Sequence, residues 1–133
     1  MMLILGLALI SVLVSYYSWL PSPNLRNEQY LPAWLSTWAD AHWNMRTAVP
    51  FLLGGLLVGL LGEIKHIFKF IIQWLLFFTL LVVLAEVGQI WLPNRSFDTH
   101  DIAYGVMGAA LGLIPCTVFR VLRRNNFSNS KMA

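Results

Sequence analysis

The chain has 133 residues, 58% of them hydrophobic and 11% charged, with a mean hydropathy of +0.66. A soluble domain keeps roughly a quarter of its residues charged, so the composition excludes a water-exposed globule, and the length leaves no room for a second folded unit. The net charge of +3 sits in a short connection and near the C-terminus, where it reads as an orientation signal rather than as a nucleic-acid surface.

The apolar residues fall in long unbroken runs, which point to lipid as the solvent. They predict an all-α integral membrane bundle of four transmembrane helices. The spans lie near residues 2–20, 44–61, 67–91 and 100–119, in a single domain over residues 1–119 followed by a tail at 120–133. The first span lacks a basic start and a small-residue cleavage site, so it reads as a retained helix rather than a removed signal peptide. It ends in Tyr16, Tyr17 and Trp19, and Pro21 and Pro23 stop it.

Between Leu31 and Trp43, Leu31, Trp34, Leu35 and Trp38 recur at helical spacing, opposite Ser36, Thr37 and Asp40. That pattern suits a short helix in the membrane interface; a plain loop carrying interfacial aromatics is the alternative. In the second span Arg46 has to snorkel or face protein, and Gly54, Gly55 and Gly59 permit close helix packing. The third span carries Gln73 in mid-run, then Glu86 and Gln89 near its far end. After a polar turn broken by Pro93, the fourth span has no charge beyond Asp101 and carries Gly105, Gly108, Gly112 and Pro115. The tail is basic at first, then rich in Asn and Ser, and is expected to fray.

With four spans, Lys65, Lys69, Arg120, Arg123, Arg124 and Lys131 share one side, against Arg26, Arg46 and Arg95 on the other. The positive-inside rule then places both termini in the cytoplasm. The opposite, outward end gathers Asp40, His42, Asn44, Arg46, Glu86, Gln89, Arg95, Asp98, His100 and Asp101. Glu86 and Gln89 are three apart and share a helix face. Gly105, Gly108 and Gly112 follow Asp101 at offsets of four, seven and eleven, so a carboxylate heads a stripe of small residues. An ionisable residue within a span calls for a partner; for Glu86 the candidates are Arg95 and Arg46.

The stretch Glu86-Val-Gly-Gln89, then Leu92-Pro93-Asn94-Arg95 through Asp98 to Asp101, then Gly108 and Gly112, resembles the signature of the VanZ-like family. Asn44, six residues before Pro50, resembles the family's spacing at the start of its second span. The resemblance covers about Asn44 to Leu113. Members commonly carry Asn four residues after the last-helix Asp, where this chain has Gly105, and Arg46 inside the second-span motif is a further departure. The family is named for a protein associated with low-level resistance to the glycopeptide teicoplanin. The resemblance implies a multi-pass protein of the bacterial cytoplasmic (inner) membrane and cell envelope, without an established reaction.

Several functional readings follow. In the first, an outward-facing polar site of Asn44, Arg46, Glu86, Gln89, Arg95, Asp98, Asp101, Gly105 and Gly108 binds a membrane lipid or lipid-linked envelope precursor, with the glycine stripe taking its chain. In the second, a membrane-embedded hydrolase or transferase uses Glu86 as general acid/base, Arg95 to stabilise negative charge and Asp101 to orient a nucleophile or water. A structural clasp is the simpler reading of Glu86, Gln89 and Arg95. Helix capping is the simpler reading of Asp98 and Asp101. Association with a second membrane protein or another copy through the glycine faces is a further role open to the chain. His42 and His100 lack metal-ligand spacing, so no metal and no cofactor are expected. Cys116 has no basic neighbour to activate it and reads as a packing residue.

Overall fold

The computed structural model describes the backbone of residues 1–130 and the side chains of residues 1–124. Five helices follow one another: α1 (Met2–Ser18), α2 (Ala33–Ala41), α3 (Trp43–Leu61), α4 (Ile67–Gln89) and α5 (Thr99–Ser130), with a 3-10 turn at Leu25–Asn27. Among the described residues there is no strand. The chain is all-helical, and α3, α4 and the Thr99–Arg124 part of α5 are long and apolar enough to cross a membrane.

The helix limits follow local chemistry. α1 stops at Ser18 rather than Leu20, because Pro21 disfavours helical geometry at the residue before it. The segment between Leu31 and Trp43 does form a short helix, α2. Its exposed side carries Trp34 and Trp38, while Ser36 and Ala39 turn inward. Pro50 inside α3 has no N–H to offer the Arg46 carbonyl one turn back. α5 does not end at Phe119; it continues through the basic residues to Ser130. Lys131 and the last part of the expected frayed tail lie outside the described residues.

α3 and α5 form the largest interface, α4 packs on α5, and α1 leans on α3 and α4. The α3–α5 seam brings backbone against backbone. A Cβ added at Gly108 would collide with the Ala48 carbonyl, one at Gly112 with the Leu52 carbonyl, and one at Gly55 with the Ala109 carbonyl. Gly59 lies against Cys116. Gly55, Gly59, Gly108 and Gly112 therefore serve close packing between α3 and α5, while Gly54 meets Phe78 and Gly105 meets Val82 of α4, so the stripe below Asp101 is filled by neighbouring helices.

Next to the seam, Phe51, Val58, Phe78, Val82, Ala109 and Leu113 form the buried centre. Phe51 and Phe78 meet edge to face, with ring centroids 6.1 Å apart, a favourable aromatic arrangement. Large apolar side chains such as Phe68, Leu76, Leu80 and Leu111 point outward. Exposed apolar surface on this scale suits a hydrocarbon environment.

Gly108→Ala is expected to lower the midpoint of thermal unfolding in detergent, by an overpacking cost of about 1–3 kcal/mol. Gly105→Ala should cost less, because its Cβ would meet only side chains, those of Val82 at 3.0 Å and Phe51 at 3.4 Å, and no backbone. Equal midpoints for the two variants would contradict the backbone-to-backbone seam.

Candidate functional site

At the end of the bundle where α1 and α4 finish and α3 and α5 begin, a cavity of about 260 Å³ opens between the helices. Leu13 and Val14 of α1, Leu31 before α2 and Leu35 within it supply apolar lining. Arg46, Thr47, Glu86, Gln89, Arg95 and Asp101 line the same cavity. Five residues singled out from the sequence thus come together: Arg46, Glu86, Gln89, Arg95 and Asp101. Asn44, Asp98, Gly105 and Gly108 do not line the cavity. Asn44 is half-buried in the first turn of α3, and Gly105 and Gly108 pack against Val82 and Ala48 respectively.

Glu86 and Gln89 are 2% and 5% exposed, so their charge and amide must be satisfied within the protein. The Gln89 amide donates to Glu86 Oε1 at 2.7 Å, as their three-residue spacing allows. The Asp98 backbone N–H donates to Glu86 Oε2 at 3.2 Å. Neither arginine forms an ion pair with Glu86 among the described residues. The partner expected from the sequence is therefore replaced by an amide and a backbone N–H.

Arg95 is occupied elsewhere. Its Nε donates to the Leu20 carbonyl at 3.1 Å, and its Nη2 to the Tyr17 and Ser22 carbonyls at 3.2 and 3.3 Å. These are the last carbonyls of α1 and the strand of chain that leaves it, which a helix end leaves without intrahelical donors. The short turn after α4, with Leu92 N–H bonded to Gln89 and Arg95 N–H to Leu92, delivers the guanidinium there. Burial, followed by the Arg46 charge, pulls the Arg95 guanidinium below its ordinary value, and Glu86 and Asp101 oppose that pull. Trp19 strengthens the same junction. Its indole N–H donates to the Ala85 carbonyl at 3.1 Å, and its ring lies on Gly88, where a Cβ would strike it.

Arg46 donates through Nη1 to the Pro23 carbonyl at 2.8 Å and stands 4.0 Å from Asp40. Asp40 in turn accepts the backbone N–H groups of Leu25 and Arg26 at 2.8 and 3.1 Å, which caps the 3-10 turn. Asp101 is half-buried, beside the Thr47 side chain and close to both arginines. Asp98 caps α5: its Oδ1 accepts the His100 backbone N–H at 2.8 Å and lies 3.0 Å from His100 Nδ1.

The sequence reading missed Trp19, Thr47 and Gly88 as members of this end, and gave Asp40 no role. Their partners lie far along the chain, 66 residues away for Trp19 and 14–15 for Asp40. Only Gly88, inside Glu86-Val-Gly-Gln89, carried a hint as a small residue in a polar motif. Among the described residues no group of three or more His, Cys, Asp or Glu gathers at metal-binding distance.

Fold and site together define a membrane-type helical bundle with a buried polar cluster at one end. A family model described as VanZ/LLP1 matches residues 2–120, which include every element around the cavity. The chain belongs to the VanZ/LLP1 family. Neither a curated protein nor a solved structure matches it.

Arg95→Gln is expected to remove about 2 kcal/mol, taking roughly 0.6–1 kcal/mol for each of three membrane hydrogen bonds. Faster amide exchange over residues 17–22 checks this; unchanged exchange there would contradict the clasp. A pH dependence follows from Asp98, whose carboxyl the His100 backbone N–H and imidazole hold below the usual aspartate range. A depressed folded value means that the cap is fully stabilising above the ordinary aspartate pKa of about 3.9 and is lost as pH falls through the folded value. Asp98→Asn, which keeps a capping oxygen, should flatten this acid-side loss of protection at the His100 amide.

Proposed function

We propose that the cavity binds the polar head of an amphiphilic or lipid-linked envelope molecule. One observation carries this reading: a single cavity is lined both by Leu13, Val14, Leu31 and Leu35 and by Arg46, Thr47, Glu86, Gln89 and Asp101. Such a cavity solvates both halves of an amphiphile. At about 260 Å³ it lies below the roughly 300–1,000 Å³ that encloses a drug-sized ligand whole. It therefore takes a headgroup, and the chain leaves along the helices. Arg46 is the residue for a phosphate or carboxylate, since only its Nη1 has a carbonyl partner. Arg95 serves mainly to hold the walls.

In this proposal α1 is a fourth span. Its 17 residues give about 26 Å of helix, close to the roughly 30 Å of a hydrocarbon core. The excess of Lys and Arg at the α3–α4 connection and after α5 supports an orientation with both termini in the cytoplasm of a bacterial cell and the cavity at the outer face of its inner membrane. Binding there changes how accessible an envelope precursor is to other molecules. Lower susceptibility to teicoplanin-type glycopeptides is the resulting phenotype.

A second reading, a membrane-embedded hydrolase or transferase, is favoured by one pairing: the Thr47 hydroxyl lies beside the Asp101 carboxylate, near Arg46 and Arg95. There Asp101 activates or orients an oxygen nucleophile and Glu86 moves the proton. Glu86 has both oxygens already accepting hydrogen bonds, which ranks this reading second.

Lipid extraction and mass spectrometry of the protein purified in mild detergent tests the binding reading. A phosphate- or sugar-bearing lipid should accompany the wild type and fall about tenfold in Arg46→Gln, the scale of one charge-assisted hydrogen bond. Leu35→Trp, which fills the apolar wall, should deplete the same species. Equal recovery from all three proteins sinks the proposal. A lipid that is retained by Asp101→Asn but found chemically altered only with the wild type moves the assignment to the enzyme.

A further inference from the structure

The opposite end of the bundle carries a second recess, of about 230 Å³, between the α3–α4 connection and the first two turns of α4. Glu63, Lys65, His66, Lys69 and Gln73 line it, with Phe70 beneath. Lys69 and Gln73 are four apart and share one helix face, with Gln73 about 6 Å further along the axis. Among the described residues neither lysine has a carboxylate within 4.0 Å. α4 also begins without a side-chain cap, so its first amide N–H groups lack an acceptor. Gln73 is exposed and has no hydrogen-bond partner among the described residues. An exposed amide on a membrane helix calls for one. Beside it, Phe68, Ile72, Leu76 and Leu80 stand exposed at four-residue spacing, an apolar ridge that continues down α4.

We propose that this recess binds one anionic glycerophospholipid. Its phosphodiester sits on Lys65, Lys69 and the first amides of α4, an ester carbonyl accepts from Gln73, and an acyl chain follows the ridge. Three features select this class. Two lysines against the single carboxylate of Glu63 favour an anion over a zwitterion, whose own ammonium would crowd the lysines. Gln73 is placed one turn below the charges, where a glycerol ester lies relative to its phosphate. The ridge gives a lipid, but not a soluble phosphate, something further to bind.

Native mass spectrometry of the full-length protein in detergent tests this, with dioleoyl phosphatidylglycerol, dioleoyl phosphatidylcholine and glycerol 3-phosphate as separate probes. Phosphatidylglycerol should bind about fivefold more tightly than phosphatidylcholine, and glycerol 3-phosphate should not be retained. Each lysine near a membrane surface contributes about fivefold, so Lys65→Gln with Lys69→Gln should weaken phosphatidylglycerol about 25-fold. Gln73→Leu should weaken both lipids about threefold. Where the double variant does not fold, Lys65→Glu alone must lower phosphatidylglycerol binding. Equal affinity for the two lipids, or no response to the lysine variants, overturns the proposal. Glycerol 3-phosphate binding as tightly as phosphatidylglycerol overturns the lipid assignment in favour of a soluble phosphate.

Discussion

The close approach of α3 and α5 is the constraint on which the rest of the molecule depends. The two helices run in the same direction, and their contacts follow in order from one end to the other: Thr47 with Asp101, Ala48 with Gly108, Leu52 with Gly112, Gly59 with Cys116. Because carbonyls of α3 meet α-carbons of α5 with no side chain between them, neither helix can slide without collision. In lipid the hydrophobic effect does not press helices together, and contact of this kind is what does. The seam fixes Asp101 and Thr47 at one end and Arg120 at the other, and α4 and α1 complete the bundle around that pair.

Arginine closes the helix ends at both faces. Arg95 satisfies carbonyls at the end of α1. Arg120 donates through Nη1 to the Gly59 and Gly62 carbonyls at 2.6 and 3.0 Å, which closes α3. A helix C-terminus concentrates partial negative charge, and the planar guanidinium can reach several carbonyls at once. The same charge count that orients the chain in a membrane therefore includes residues with a definite structural duty. Arg120 belongs to the body of α5 rather than to a tail.

Much of this was legible in the sequence because it depends on local pattern. The apolar runs marked α3 and α4 to within two residues, and α1 to within the turn that Pro21 ends. The three-residue spacing of Glu86 and Gln89 put them on one helix face, though not as each other's partner, and Asp98 stands where a cap was expected. Contacts between distant segments were not legible. The stripe of Gly105, Gly108 and Gly112 announced that something approaches α5 closely, but helix and ligand make the same demand on a small residue. Glu86 needed a donor, and an arginine nearby in sequence was the natural choice, yet Arg95 points across to α1 and the Asp98 backbone takes its place. For Asp40, a short loop turned back toward α2 supplies amides that no local spacing encodes.

The direction in which these caps are supplied has a consequence for biosynthesis. α1 and α3 each end in carbonyls whose donor lies later in the chain, 73–78 residues on for α1 and 58–61 for α3. Each helix is therefore complete as a coil well before its end is sealed, and water or lipid headgroups must stand in during the interval. The bundle is thus locked from the C-terminal half backward, with the earliest helix fastened by a turn that emerges only after α4 has been made.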